Sequence, residues 1–144
     1  MHILVINGPN LNLLGTREPE HYGTSTYADL VQLISDTAEK LGITAECYQS
    51  NHEGALVDKI QSALGTADAI VMNPAAYTHT SVAILDAVKA VQIPTIEVHI
   101  TDPDTREEFR RISYVRAACV KTIKGMGLAG YAMAMEELVR MLRK

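Results

Sequence analysis

Glu97 and His99 stand two residues apart in an apolar stretch that reads as a strand, so their side chains share one face. A carboxylate beside an imidazole fixes the ring's orientation and favours its protonated form, which suits a general acid near neutral pH. The same spacing also serves a structural ion pair at a strand end. A second combination lies in Arg17-Glu-Pro-Glu-His-Tyr22-Gly, where an arginine and a tyrosine stand five apart. To act as a base at pH 7, a tyrosine must be brought from its ordinary pKa near 10 to about 7, which takes roughly 4 kcal/mol of preferential phenolate stabilisation. Close arginines supply that kind of stabilisation, although by spacing alone the pair fits a surface contact more readily than a catalytic dyad. Arg106 and Arg110 are four apart and share a face if their segment, 105–111, is helical. Their forked donors suit carboxylates, hydroxyls and developing negative charge.

The elements that must position these groups follow from hydrophobic spacing. Apolar or β-branched runs at 3–6, 43–49, 69–72, 95–98 and 120–123 predict five strands. Helical periodicity predicts helices from Thr26-x-x-Asp29 to Leu41, over 54–64, over 81–91 and over 128–142, with Gly42 and Gly65 as stops for the first two. Alternating strands and helices imply a parallel sheet covered on both faces. The expected fold is therefore α/β: a flavodoxin-like, doubly wound five-stranded parallel sheet with right-handed crossovers, forming one catalytic domain over 1–144. Residues 8–24 carry Gly8, Pro9, Gly15, Pro19 and Gly23 with no regular period, and so long a loop in so small a domain points to an active-site lid. In such sheets ligands bind beyond the carboxyl ends of the strands. All five asparagines and four of the five histidines fall at those ends or in the long loop: Asn7 to Asn10, Asn51-His52-Glu53, Asn73 with Thr78-His79-Thr80, and Glu97 to His99.

Composition narrows the class. The 144 residues are 47% apolar and 21% charged with a net charge of −4, an ordinary globular balance that needs no disulfide or metal staple. No stretch is long and apolar enough for a membrane span, and the N-terminus has no cleavable leader, so the expected location is the cytoplasm. The basic residues form no cluster beyond Arg110-Arg111, which gives no general attraction to nucleic acid or membrane. Cys47 and Cys119 lack metal or redox spacing and read as reduced core residues in strand-like segments. Phosphate-binding Gly-rich loops, H-E-x-x-H and nucleophile elbows are missing from the sequence. The helix Val82 to Val88 is apolar nearly all round, which fits cover by a second subunit or by a neighbouring loop. Tyr27 and Tyr131 fall on apolar helical faces and read as packing.

Five segments, in order, carry a resemblance: Ile6 to Pro19 with Tyr22-Gly23, Gln49 to Gly54, Asn73 to Ala83 with Asp86-Ala87, Glu97-Val-His99, and Arg106 to Arg110 with Gly125 to Gly127 and Gly130-Tyr131. The chain resembles the type II 3-dehydroquinate dehydratases across nearly its whole length. The resemblance implies a cofactor-free, metal-free hydro-lyase of the shikimate pathway of aromatic amino acid biosynthesis, or of quinate catabolism. Its substrate would be 3-dehydroquinate, converted to 3-dehydroshikimate by anti elimination through an enolate. It implies Tyr22 as the base, Arg17 as the group lowering its pKa, His99 as the acid oriented by Glu97, and Asn10 placing a water and the tyrosine around the enolate. It further implies that Asn73 and the amides of Ile100 and Thr101 hold the substrate carboxylate, that His79 and Arg110 hold ring hydroxyls, and that Asp86 reaches an adjacent subunit of a dodecamer built from trimers. The chain departs from the pattern at Thr101-Asp102-Pro103, where Asp102 brings a negative charge near the carboxylate site. Two other readings stay in play: a silent binding module for a polyhydroxylated acid, and a Schiff-base lyase, against which stand six lysines outside the polar strand ends.

Overall fold

The computed structural model describes residues 1–16 and 18–144, with the side chain of Tyr22 outside the described part. Five parallel strands, β1 (His2–Asn7), β2 (Thr44–Gln49), β3 (Ala69–Asn73), β4 (Thr95–His99) and β5 (Lys121–Lys124), form one sheet in the order β2-β1-β3-β4-β5. That order is the flavodoxin-like one, and it reverses between β1 and β3. At this switch point Asn7 and Asn73 are register partners, so the two strands end level, each in an asparagine.

Alternation along the strands builds two cores. Ile3 and Val5 face a layer made by α2 (Tyr27–Leu41) and α5 (Ala129–Leu142), through Leu30, Ile34, Met135 and Leu138. Leu4 and Ile6 face α3 (Glu53–Ser62) and α4 (Val82–Val91), through Leu56, Ile60, Ile84 and Val88. The Thr26-x-x-Asp29 start is a full capping box, with each side chain taking the other's backbone N–H, and Gly42 closes α2 in the left-handed conformation.

Two segments depart from the sequence-based reading. The long loop holds a 3-10 turn at Leu11–Leu13 and the short helix α1 (Pro19–Tyr22). These are too brief to leave a hydrophobic period, since each contributes at most one turn. Residues 105–111 form no α-helix; Pro103–Thr105 and Glu108–Arg111 are separate 3-10 turns. Asp102 explains the first, because its side chain accepts the Asp104 N–H at 3.0 Å and draws the backbone into a tight turn. Cys119 likewise lies after the 3-10 turn Val115–Ala118 rather than in a strand, its thiol on the Val115 carbonyl at 3.4 Å, while Cys47 is on β2 as expected and both are free and half-buried.

One close approach shapes the switch point. The Gly8 N–H donates to the Asn73 carbonyl at 2.8 Å, and a Cβ on Gly8 would overlap the Pro74 carbonyl. Glycine there lets the chain leaving β1 lie against the chain leaving β3. Next to this contact, Ala75 takes a φ of 52°, a left-handed conformation costly for a side chain with a Cβ.

Candidate active site

At the carboxyl ends of β1, β3 and β4 lies a cavity of about 150 Å³. Its wall takes Pro9, Asn10 and Leu11 from beyond β1, Asn73, Ala75, Ala76 and His79 from β3 onward, and His99, Ile100, Thr101, Pro103, Arg106 and Arg110 from β4 onward. Seven residues that the resemblance assigns to the site thus meet there: Asn10, Asn73, His79, His99, Ile100, Thr101 and Arg110. Glu97 is behind the wall, and Asp86 is exposed on α4, away from the cavity. Arg17 lies outside the described residues. Tyr22 ends α1 with its side chain likewise outside them.

Glu97 is fully buried and is surrounded by donors. One carboxylate oxygen takes bonds from His99 Nε2 at 2.9 Å, Thr78 Oγ1 at 2.5 Å and Ser113 Oγ at 2.6 Å. The other takes Thr122 Oγ1 at 3.0 Å and Arg116 Nε at 3.3 Å. Burial alone would push this carboxyl up, but the bonds and charge from His99, then the bonds from Ser113 and Thr78, outweigh it and hold Glu97 well below the usual carboxylate range. An ionised Glu97 can only accept, so Nε2 of His99 carries a hydrogen and Nδ1 is the nitrogen left for proton exchange. Periodicity could not reveal Ser113, Arg116 and Thr122, because their shared role arises only when β5 and the segment before it pack beside β4.

His79 shows the complementary logic. Its Nδ1 donates to the Ile112 carbonyl at 2.6 Å, leaving Nε2 as an acceptor in the neutral ring. Burial pushes its pKa below the ordinary value, partly offset by that carbonyl, while His99 and Arg110 press it the same way. A neutral His79 is therefore suited to a hydroxyl.

Both wall arginines lie near carboxylates. Arg110 Nε holds Glu107 at 2.5 Å, and Arg106 lies 3.9 Å from Glu18, the residue just before α1. Arg106 is a wall residue, which the share-a-face argument noticed but did not place in the site. Asp102, the departure from the family pattern, faces away: it lies 3.4 Å from Lys124 Nζ, which also holds Asp104. Its charge is answered on the β5 side rather than at Ile100 and Thr101. Among the described residues the wall carries no lysine.

Tyr131 and Tyr27 do more than pack. The fully buried Tyr131 hydroxyl donates to Asn7 Oδ1 at 2.7 Å and accepts from Asn73 Nδ2 at 2.8 Å. Tyr27 Oη and Cys47 Sγ are 3.3 Å apart, and the Asn7 amide reaches the same sulfur at 3.6 Å. Tyr131 and Tyr27 are both pushed up, first by burial, so both phenols stay protonated. An apolar helical face concealed these roles, since the ring packs as expected and only its tip is polar.

A flavodoxin-like sheet whose switch-point cavity joins an ionised carboxylate–imidazole pair to two arginines defines an α/β enzyme of acid–base chemistry on a small anionic substrate. The family model described as dehydroquinase class II matches residues 1–139. A 3-dehydroquinate dehydratase of Clostridium acetobutylicum is 52% identical over 144 residues, covering all of both chains. A catabolic 3-dehydroquinase of Verticillium alfalfae is 54% identical over 98% of this chain and 94% of its own. The crystal structure of type II dehydroquinase from Butyrivibrio crossotus superposes with a TM-score of 0.94 at 54% identity, over 96% of this chain and 97% of that one. This chain belongs to the class II dehydroquinase family.

Proposed function

We propose that the chain dehydrates 3-dehydroquinate to 3-dehydroshikimate in two steps of acid–base chemistry. Tyr22, as phenolate, takes the proton from the carbon beside the ketone, and the electron pair moves to the ketone oxygen as an enolate. Arg17 lowers the tyrosine pKa and stabilises that charge, while Asn10 orders a water and the tyrosine around the enolate. The enolate then re-forms the ketone, the neighbouring C–O bond breaks, and His99 delivers a proton so that water leaves on the opposite face. Glu97 holds His99 in place through Nε2 at 2.9 Å. Asn73, Ile100 and Thr101 hold the carboxylate, and His79 and Arg110 hold ring hydroxyls.

The observation that carries this reading is the His99–Glu97 pair at the cavity wall, with its proton exchange confined to Nδ1. The segment 8–24 serves as a lid over a single catalytic domain, which fits the approach of Glu18 to Arg106. The working form is a homo-oligomer, a dodecamer of trimers, in the cytoplasm, in which Asp86 completes a neighbour's site. Among the described residues no helix is long and apolar enough to cross a membrane.

Ultraviolet absorbance of the conjugated enone, followed after adding 3-dehydroquinate, tests the reaction. Tyr22→Phe is expected to abolish turnover while the protein still binds product. Near-normal turnover by this variant would remove Tyr22 as the base.

A further inference from the structure

The amide of Asn73 is held at both ends. Its Oδ1 accepts the Ala75 N–H at 3.0 Å, and its Nδ2 donates to the Tyr131 hydroxyl at 2.8 Å. The Ala75 N–H can only donate, and the single hydrogen of Tyr131 is committed to Asn7 Oδ1 at 2.7 Å. Both neighbours therefore demand the same amide orientation. One Nδ2 hydrogen is spent on Tyr131, and the second remains for the cavity, whose wall includes Asn73.

We propose that Tyr131 is a positioning residue for substrate binding: its buried hydroxyl fixes the Asn73 amide so that the cavity meets an N–H donor rather than a carbonyl. The inference rests on the reading of Asn73 as a carboxylate-binding residue. A carboxylate is acceptor-only and would be repelled by the carbonyl end of the amide, so the wrong orientation costs binding twice, by a lost donor and an added lone pair. Tyr131 comes from α5, which otherwise serves the core beneath the sheet, and its hydroxyl sits between the two asparagines that end β1 and β3. The ring is thus a core residue and the hydroxyl a means of setting polarity at the site.

Tyr131→Phe removes the hydroxyl and leaves the ring. The expected result is a KM raised about fivefold to tenfold, the scale of one hydrogen bond, with kcat within about twofold, because carboxylate binding is common to ground and transition states. Tyr27→Phe is the control: it removes a hydroxyl from the same polar cluster, at Cys47 and Asn7, but that hydroxyl makes no hydrogen bond to either partner of Asn73. It is expected to lower thermal stability with KM unchanged. An unchanged KM in Tyr131→Phe, or an equal rise in Tyr27→Phe, overturns the proposal.

Should Tyr131→Phe fail to fold, the wild-type protein decides by NMR. On titration with 3-dehydroshikimate, one Asn73 side-chain amide proton should shift while its geminal partner, on Tyr131, holds still. Both moving together, or neither moving, overturns the proposal. Asn73→Ala separates the levels: if it leaves KM unchanged, the carboxylate reading fails and the inference with it. If Asn73→Ala raises KM and Tyr131→Phe does not, Tyr131 alone loses its role.

Discussion

At the scale of single residues, Glu97 shows how burial and charge are reconciled. Five donors converge on its two oxygens, and a buried anion is tolerable only because so many are aimed at it. Its folded pKa lies below the ordinary value of 4.5, so its contribution to stability is complete above about pH 5 and is lost as pH falls through the depressed value. Glu97→Gln is expected to be less stable than wild type at pH 7, with the gap narrowing by pH 3, as urea denaturation at both pH values would measure. A gap of the same size at both would mean that the carboxylate's charge is not what stabilises the fold. The pairing of Glu97 with His99 was legible from a two-residue spacing. The ring of donors was not, because Thr78, the Ser113–Arg116 segment and Thr122 of β5 are brought together only by the fold, and a lone hydroxyl or arginine carries no sign of what it will face.

At the scale of elements, the positions of strands and helices followed from periodicity, with boundaries shifted by one or two residues, whereas the order β2-β1-β3-β4-β5 is a matter of tertiary pairing that no period records. The short turns escaped because 3-10 segments of three or four residues bury too little to leave a pattern. What the strand ends needed was also a matter of backbone fit. Gly8 is the clearest instance: in sequence it reads as part of an Asn-Gly-Pro turn, whereas in the fold it lets β1's exit press against Pro74. Gly8→Ala is expected to destabilise the protein by about 1–3 kcal/mol, the usual range for an overpacked site, and to lower activity by displacing Asn10. Chemical denaturation and steady-state rates would check both. Unaltered stability would show that the exit of β1 can move away from β3 without cost.

At the scale of the whole molecule, the exposed apolar residues bear on the proposed assembly. Val82 begins α4 at 51% exposure, and Ile112 and Tyr114 are joined to the segment before it by the His79–Ile112 and Tyr114–Thr78 hydrogen bonds. Asp86 follows Val82 by one helical turn, on the same side of α4. A second copy covering this face fits both the apolar residues and the proposed reach of Asp86. Size-exclusion chromatography with light scattering is expected to show an assembly, and a dissociating substitution, Val82→Glu, to raise KM along with loss of assembly. Full activity from a monomer would take Asp86 out of the site. The buried tyrosine hydroxyl also bears on how the molecule is made. Tyr131 lies 124 positions after Asn7, the residue to which it donates. At translation speeds of about 5–20 residues per second, the first strand waits roughly 6–25 s after leaving the ribosome for the side chain that will order its end. The switch point is thus completed among the last contacts available to a growing chain, together with the share of the core that α5 brings to one face of the sheet.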